Sequence, residues 1–344
     1  MSSLIFAHAS AHTALQQLLE QISPSGVFVI SDTNTCSLLP LPEFPGHIIG
    51  TGEEAKNLET ATSVWDAMEG AGVTRNWVAV CIGGGVVTDL GGFCAAAFKR
   101  GIPCINIPTT LLAAVDAATG GKTAINYHGL KNEIGFFAKP AAVIVDNTFF
   151  AGLPEEQIRS GYAEMIKHAL LDSPGHWHEI VKHADTNIAD EVFTPILKQS
   201  ISVKQRIVEV DPTEKGLRKA LNLGHTAGHA IEEICLEKGN PVPHGYAIAW
   251  GLVAEAVLST LLQDFPTYEL ATLCSMVRNI YGPMPIGCND YTRVLALMSH
   301  DKKNADSQAV NFTLLKAPGN PIINCTPTTN DITTALDIAR DRLN

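Results

Sequence analysis

The stretch WVAVCIGGGVVTDLGGF, Trp77 to Phe93, decides the fold class. A short apolar run suits a buried strand, and a glycine turn then leads directly into a helical pattern. Glycines at such a turn let backbone amides approach a ligand, and the helix N-terminus that follows favours a phosphate. The same pattern also fits a tight turn that simply needs glycine, because it is neither G-x-G-x-x-G nor a P-loop.

Similar apolar runs stand on both sides of this stretch. They are GVFVISD (Gly26 to Asp32), HIIGTG (His47 to Gly52), CINIPTT (Cys104 to Thr110) and AAVIVDN (Ala141 to Asn147). Helical patterns, such as Ala55 to Ala71 and Thr88 to Phe98, lie between them. This alternation predicts an α/β fold with a mostly parallel sheet covered on both faces, and ligand sites at the strand ends.

The pattern changes after LPEE, Leu153 to Glu156, where a proline followed by two glutamates suits a helix start. Long helical patterns then dominate the rest of the chain. They include Glu155 to Leu171, Phe193 to Val210, His225 to Lys238 and Tyr246 to Leu262. We therefore predict an α/β domain over residues 1–152 and an all-α domain over residues 153–344.

The composition excludes several classes of protein. A formal net charge of -11 argues against binding to nucleic acid or to an anionic membrane. No lysine or arginine precedes Lys56, and no uncharged apolar run is long enough to span a bilayer. The eight cysteines contain no C-x-x-C pair, so free thiols in a reducing cytoplasm are expected. With 46% hydrophobic and only 17% charged residues, a partner subunit is plausible.

Two segments carry candidate chemistry. Pro108 to Gly135, interpreted as a polar loop, holds Asp116, Lys122, Lys131 and Asn132, and its lysines suit a phosphate. LNLGHTAGHAIEE, Leu221 to Glu233, places two histidines four residues apart, either on one helical stripe with Arg218 and Asn222 or on a helix that begins at Gly224. Such a pair binds zinc or is merely structural, and the glutamate of H-E-x-x-H is absent.

Two more residues strengthen a metal interpretation. His244 stands just before another helical pattern, and Glu164 lies with Lys167 on the polar side of the first long helix. Two histidines and one glutamate with an open position are typical of catalytic zinc. A solvated helix face is the alternative for Glu164 and Lys167.

Taken together, several segments resemble the 3-dehydroquinate synthases of the sugar-phosphate cyclase superfamily. They are GGGVVTDLGGF, PTTLLAAVDAATGGKTAIN, LKNEIG, GYAEMIKHAL, LRKALNLGHTAGHAIE and HGYA, in unbroken order from about Gly52 to Leu315. The resemblance implies a Rossmann-like NAD domain, a helical C-terminal domain, a homodimer, tightly held NAD and zinc or cobalt. The metal ligands would be Glu164, His225 and His244, while His229 and Asn222 would face the substrate's phosphate.

The resemblance also implies the remaining contacts. NAD would be bound by Thr51, Gly52, Glu53, Glu54, Ala55, Lys56, Gly85, Val86, Val87, Thr88, Asp89, Thr109, Thr110, Lys122, Lys131, Phe149, Phe150, Ala151 and Gly152. Substrate would be bound by Lys122, Asn132 and Lys302 (favoured over Lys303) at the phosphate, Asp116 and Lys167 at hydroxyls, Lys204 and Arg218 at the carboxylate, and Arg100 from the neighbouring subunit. Thr88 and the FFAG turn at Phe149 depart from the family's usual residues and are expected to alter NAD affinity.

The implied reaction converts 3-deoxy-D-arabino-heptulosonate 7-phosphate to 3-dehydroquinate and phosphate. Transient oxidation by NAD would allow phosphate elimination, and reduction, ring opening and an intramolecular aldol reaction would follow. Another sugar-phosphate cyclase is the nearest alternative, but its substrate has no carboxylate for Lys204 and Arg218. A related polyol dehydrogenase would produce NADH, and a non-catalytic nucleotide-binding protein would not need the metal set.

Overall fold

The computed structural model describes residues 3–7, 10–184, 188, 192–300 and 310–344. The chain divides into two compact units, Met1–Leu153 and Pro154–Asn344. The elements of the first unit are β1 (Ser3–Phe6), α1 (Ala11–Ile22), β2 (Gly26–Asp32), β3 (Gly46–Ile49), α2 (Leu58–Gly70), β4 (Trp77–Gly83), α3 (Gly85–Ala97), β5 (Cys104–Pro108), α4 (Leu111–Val115), β6 (Lys122–Tyr127), β7 (Leu130–Phe137) and β8 (Ala142–Val145).

A parallel sheet in the order β1-β8-β5-β4-β2-β3 forms the core of this unit. Along β4, Val78 and Val80 pack into an apolar cluster with Leu15 of α1. The alternate residues of β4 pack with α2 and α3 in a second cluster, which includes Cys81 and Leu90. Both faces of the sheet are therefore covered, which explains why its strands are apolar throughout. The predicted α/β fold is confirmed.

The interpretation of Pro108 to Gly135 as a loop was wrong. This segment contains α4 and the strand β6, which pairs antiparallel with β7. His128 (φ 49°) and Gly129 (φ 79°) occupy the two-residue turn between the strands, where positive φ at both positions matches the twist of a hairpin. The glycines and charged residues of this segment interrupt the alternation of apolar residues by which a strand is recognised in a sequence.

The second unit is mostly helical. Its elements are α5 (Glu155–Asp172), α6 (Pro174–Lys182), α7 (Phe193–Val210), α8 (His225–Glu237), α9 (His244–Gln263), α10 (Thr267–Tyr281), α11 (Tyr291–His300), β9 (Phe312–Ala317), β10 (Asn320–Cys325) and α12 (Thr329–Leu343). The prediction of an all-α domain was wrong for β9 and β10, which pair antiparallel. Gly319, with φ at 82°, allows the tight turn between them.

Helix α9 lies at the centre of the second unit. It packs against α5, α8, α10, α12 and β9. Its length and apolar composition would suffice to cross a membrane, but 78% of that apolar window is buried inside the protein, as in the core helix of a globular domain. The first residue of this helix is His244, so the helix carries one of the predicted ligands on a rigid core element.

Candidate metal and cofactor sites

Three histidine side chains meet in the second unit. His225 and His229 lie one turn apart on α8, and His244 begins α9. Each offers a ring nitrogen within 4.8 Å of the others. The ring centroids are 5.2 Å apart for His225 and His229, 5.6 Å for His225 and His244, and 5.7 Å for His229 and His244. This separation is compatible with one shared cation.

Gly224 determines where α8 begins. Its φ of 79° is left-handed, so the helix starts at His225 and does not continue from the residues before it. A short 3-10 helix, Leu217–Asn222, precedes it. Of the two alternatives left by the sequence, the helix that begins at Gly224 is therefore the one observed, and Arg218 and Asn222 approach from the preceding segment.

Hydrogen bonds fix the orientation of two imidazoles. The Nδ1 of His225 lies 3.2 Å from the carbonyl oxygen of Leu223, and the Nδ1 of His244 lies 2.9 Å from Oε2 of Glu232. Because both partners are acceptors, each Nδ1 carries the proton and each Nε2 presents a lone pair. Metal-binding histidines are typically held in this way.

Glu164 supplies a carboxylate next to the ring of His225. The residue is 0% exposed, and its Oε1 lies 3.6 Å from Nε2 of His225. It also forms an ion pair with Lys167, itself only 1% exposed. Among the described residues, neither carboxylate oxygen has a hydrogen-bond donor in acceptable geometry. The Lys167 ammonium balances the charge of this carboxylate but leaves both oxygens without a hydrogen bond of good geometry from any described residue, so they are available as ligands and, together with the imidazoles, form a donor set that fits a divalent metal. Because both Glu164 and Lys167 are buried, they do not lie on a solvated helix face, which was the alternative interpretation.

Close contacts of glycines hold these helices together. A Cβ on Gly245 would come within 2.1 Å of the carbonyl oxygen of Ser160 on α5. A Cβ on Gly251 would come within 2.0 Å of the carbonyl oxygen of Gly224. The backbone of α9 therefore touches both the helix that carries Glu164 and the start of the helix that carries His225. Only glycine permits this approach.

The residues expected at the substrate's carboxylate are buried cations. Lys204 is 6% exposed and Arg218 is 3% exposed. The Nη1 of Arg218 donates to the carbonyl oxygen of Pro212 at 2.7 Å, and its backbone amide donates to Asp211 at 3.1 Å. Although burial acts in the opposite direction, the amides of Gly216, Lys215 and Arg218 lower the pKa of Asp211. The ionised carboxylate thus holds the loop that presents Arg218.

Asn222 occupies the end of the same segment and donates through Nδ2 to Oε1 of Glu214 at 3.0 Å. Glu214 has a left-handed φ of 61°, so the backbone is bent there to place its carboxylate beside Asn222. Lys302 and Lys303 lie outside the described residues.

Lys56 organises the predicted cofactor residues of the first unit. Its side chain is 4% exposed, and its Nζ donates to Oδ2 of Asp89 and to Oδ1 of Asn132, each at 2.6 Å. Oε1 of Glu53 lies 3.9 Å from the same ammonium. Burial raises the pKa of Asp89, although the Lys56 ammonium acts in the opposite direction. The segment from Thr51 to Lys56 is thereby tied to α3 and to the β6–β7 hairpin.

The glycine turn predicted at the end of β4 is present. Gly84 is the N-cap residue of α3 and has no side chain to cap it, so the amides of Gly85, Val86 and Val87 in the first turn remain for a ligand, whereas that of Thr88 donates to the carbonyl oxygen of Gly84. A Cβ on Gly84 would come within 3.3 Å of Thr110. The Thr110 hydroxyl accepts from the amide of Ala113 and caps α4.

The other predicted residues of this unit are spread over its loops and strands. Asp116 ends α4, Lys122 and Lys131 are exposed on β6 and β7, and Arg100 is exposed after α3 with a φ of 70°. Phe149, Phe150, Ala151 and Gly152 form a 3-10 helix. Phe150 is fully buried, whereas Ala151 and Gly152 are exposed.

The sequence analysis missed three carboxylates of the second unit. Glu232 orients His244, Glu214 contacts Asn222, and Glu255 accepts from the amides of Gly224 and Ala227. The spacing of Glu232, seven residues after His225, placed it on the same face of α8 and was the available signal. No comparable signal pointed to Glu255, because no other charged residue accompanies it in the apolar helix α9.

Comparison with known proteins relates the whole chain to one family. Residues 47–160 match the model of the 3-dehydroquinate synthase N-terminal domain, and residues 161–304 match that of the C-terminal domain. The 3-dehydroquinate synthase of Parabacteroides distasonis is 42% identical over 335 residues, which cover 95% of each chain. The chain belongs to the 3-dehydroquinate synthase family. The enzyme of the same description from Pyrococcus abyssi is 37% identical over 88% of this chain and 90% of its own.

Solved structures show the same fold at lower identity. A 2-epi-5-epi-valiolone synthase from Streptomyces hygroscopicus, solved with NAD+ and Zn2+, has a TM-score of 0.87 at 23% identity, covering 99% of this chain and 97% of its own. A 2-deoxy-scyllo-inosose synthase solved with carbaglucose-6-phosphate, NAD+ and Co2+ has a TM-score of 0.79 at 24% identity, covering 97% and 95%. The protein therefore has the fold of sugar-phosphate cyclases.

Proposed function

We propose that the chain converts 3-deoxy-D-arabino-heptulosonate 7-phosphate to 3-dehydroquinate and phosphate, as a lyase dependent on NAD and a divalent metal. The observation that carries this proposal is the meeting of His225 and His244, with the buried carboxylate of Glu164 at 3.6 Å from Nε2 of His225. The relatives of 37–42% identity support the choice of reaction.

Glu164, His225 and His244 would hold the metal, and the first turn of α3 would take the NAD pyrophosphate. When bound, the metal polarises a substrate hydroxyl and NAD accepts and returns a hydride. Lys167, paired with Glu164, would donate to a substrate hydroxyl close to the ligands. Lys56 would hold the segment from Thr51 in place for the cofactor.

The anionic ends of the substrate would be bound by separate groups. Arg218 and Lys204 would pair with the carboxylate, since buried cations recognise it strongly. His229 and Asn222 would donate to the phosphate, assisted by Asn132 and Lys122. Holding both ends would keep the intermediates oriented through elimination, ring opening and closure.

The test is incubation of the purified protein with the heptulosonate phosphate. Phosphate should be released in step with 3-dehydroquinate, with no net NADH, and a chelator should abolish turnover until zinc or cobalt is restored. Net NADH without phosphate release would instead identify a polyol dehydrogenase.

A second candidate is another cyclase reaction, because the solved cyclases share this fold. The buried positions of Arg218 and Lys204 favour a substrate with a carboxylate. Competition between the heptulosonate phosphate and a heptulose phosphate without the carboxylate tests this choice. Arg218→Met should raise KM for the first substrate and leave the second unaffected.

We also propose a homodimer that works in the cytoplasm, with Arg100 reaching the partner's site. All eight cysteines carry free thiols, which suits a reducing compartment. Sedimentation would test the dimer, and Arg100→Ala should lower activity without dissociating it.

A further inference from the structure

Glu255 is a carboxylate in the middle of the long apolar helix α9. It is 0% exposed, and it lies on α9 eleven positions after His244. Its Oε2 accepts from the amide of Gly224 at 2.6 Å, and its Oε1 accepts from the amide of Ala227 at 3.2 Å. A buried glutamate is expensive, so this arrangement must compensate for its burial.

Those two amides belong to the start of α8. Gly224 is the N-cap residue and has no side chain of its own, so the carboxylate from α9 takes over the capping function. An ionised acceptor forms stronger bonds to amides than a neutral one, and a negative charge is favourable at the positive end of a helix. Glu255 therefore fixes the first turn of α8 in position.

The first helical residue after this cap is His225. Since Glu255 belongs to the helix that begins with His244, one side chain joins the backbone segments of both imidazoles. The close approach of Gly251 to Gly224 and Gly228 brings the two backbones together. The two hydrogen bonds from Glu255 to separate amides add a directional constraint on the first turn of α8.

We propose that Glu255 is a positioning residue for the metal centre: it caps α8 from α9 and thereby sets the distance between His225 and His244. This inference rests on the proposed function, because it assumes that both histidines bind the metal. Glu255 touches neither metal nor substrate and acts only through the placement of the ligands.

The decisive variant is Glu255→Gln, which keeps the volume but places an amide donor against one of the two backbone donors. Glu255→Asp keeps the charge and shortens the reach, and serves if the glutamine variant does not fold. The matched control is Glu269→Gln, because Glu269 is also buried (2% exposed) and accepts from Trp177 Nε1 at 2.6 Å.

Zinc affinity would be measured by competition with a chromogenic chelator, and the cobalt-substituted protein would be followed by its visible absorption. Glu255→Gln should bind zinc about tenfold more weakly and shift the cobalt bands, whereas Glu269→Gln should match the wild type in both measurements even if its Tm falls. Glu255→Asp should give an intermediate affinity.

Equal zinc affinity and an unchanged cobalt spectrum in Glu255→Gln, with only a lower Tm, would overturn the inference and leave a purely structural cap. If the wild-type protein bound neither metal, the proposed function itself would fail, and the two failures are thus distinguishable.

Discussion

Two polar clusters, one in each unit, differ in how their charges are satisfied. In the first unit, the ammonium of Lys56 is surrounded by Asp89, Asn132 and, at longer range, Glu53. In the second unit, the carboxylate of Glu164 has Lys167 and His225 nearby but no hydrogen-bond donor in acceptable geometry among the described residues.

This difference indicates what each cluster can bind. The first cluster supplies its own counter-charges, so its function is to shape the backbone and a ligand binds to the surface that it organises. The second pairs Glu164 with Lys167 but, within the described part of the chain, leaves both carboxylate oxygens without a hydrogen bond of good geometry beside the imidazoles, and this donor set favours a divalent cation. The predictions below change one cluster at a time.

The largest effect is expected for His225→Ala. Removing one of three ligands should weaken zinc binding by more than about 100-fold, beyond what changes around a ligand usually cause, and activity should be lost with it. Zinc content after dialysis measures metal binding, and the rate of phosphate release measures activity. His47→Ala, which removes a histidine bonded to Ser63 in the first unit, is the control. Full turnover of His225→Ala after chelation would disprove the metal assignment.

Lys56→Met should damage the first cluster. It leaves Asp89 without its cation, at a cost of about 2 kcal/mol after allowance for its partial exposure, and NAD binding should weaken. Because the pKa of Asp89 is already raised by burial, the loss of stability should shrink as pH falls and the carboxyl is protonated.

Thermal melting of Lys56→Met and of the wild type at several pH values tests this dependence of the stability loss on pH. Lys238→Met, which breaks an exposed pair with Asp290, should cost less than about 1 kcal/mol. A deficit of Lys56→Met that grew at low pH would contradict the account of Asp89.

His229→Ala separates the roles of the three histidines. We expect zinc to be retained within about twofold, and kcat/KM for the phosphate substrate to fall by roughly tenfold as a charge-assisted hydrogen bond is lost. Metal analysis of the purified variant, together with steady-state kinetics, tests both expectations. Joint loss of zinc would make His229 a ligand, which its distance from His225 and His244 permits.

The smallest effect concerns His176, a buried histidine of the second unit that belongs to neither cluster. His176 contacts Asp172 at 3.1 Å, and burial lowers its pKa despite that carboxylate. The unfolded chain therefore binds the proton more readily, so stability should fall as pH drops below the unfolded pKa of about 6.5. Melting temperatures at pH 7.5 and 5.5 should show a smaller decrease for His176→Gln than for the wild type.

Most of the first unit was predictable from periodicity. The apolar runs around Val78 and Ile105 mark strands buried on both faces, and the structure places them there. The hairpin of β6 and β7 was not predictable in the same way, since β7 is exposed along its whole length and Asn132 interrupts the apolar alternation of Leu130, Ile134 and Phe136. In the second unit, β9 and β10 are six-residue strands joined by a turn at Pro318 and Gly319, and they were overlooked among the helical patterns that surround them.

The candidate site was predictable only in part. His225 and His244 were singled out by residue type and spacing, and the structure brings them together. The burial of Glu164 and Lys167 could not be read from the helix they share, because it depends on the elements packed against α5. The roles of Glu232 and Glu255 depend on contacts between α8 and α9, which no local pattern reports.

The contact of Gly245 with Ser160 has a consequence for how the protein matures. These residues are 85 positions apart, so their contact forms only after a long stretch of chain has closed. A metal ion added to the nascent polypeptide would find no assembled pocket to guide its folding, in contrast to a zinc finger. Metal uptake should therefore be a late event in biogenesis, and its appearance in a refolding time course would report that the second unit is complete.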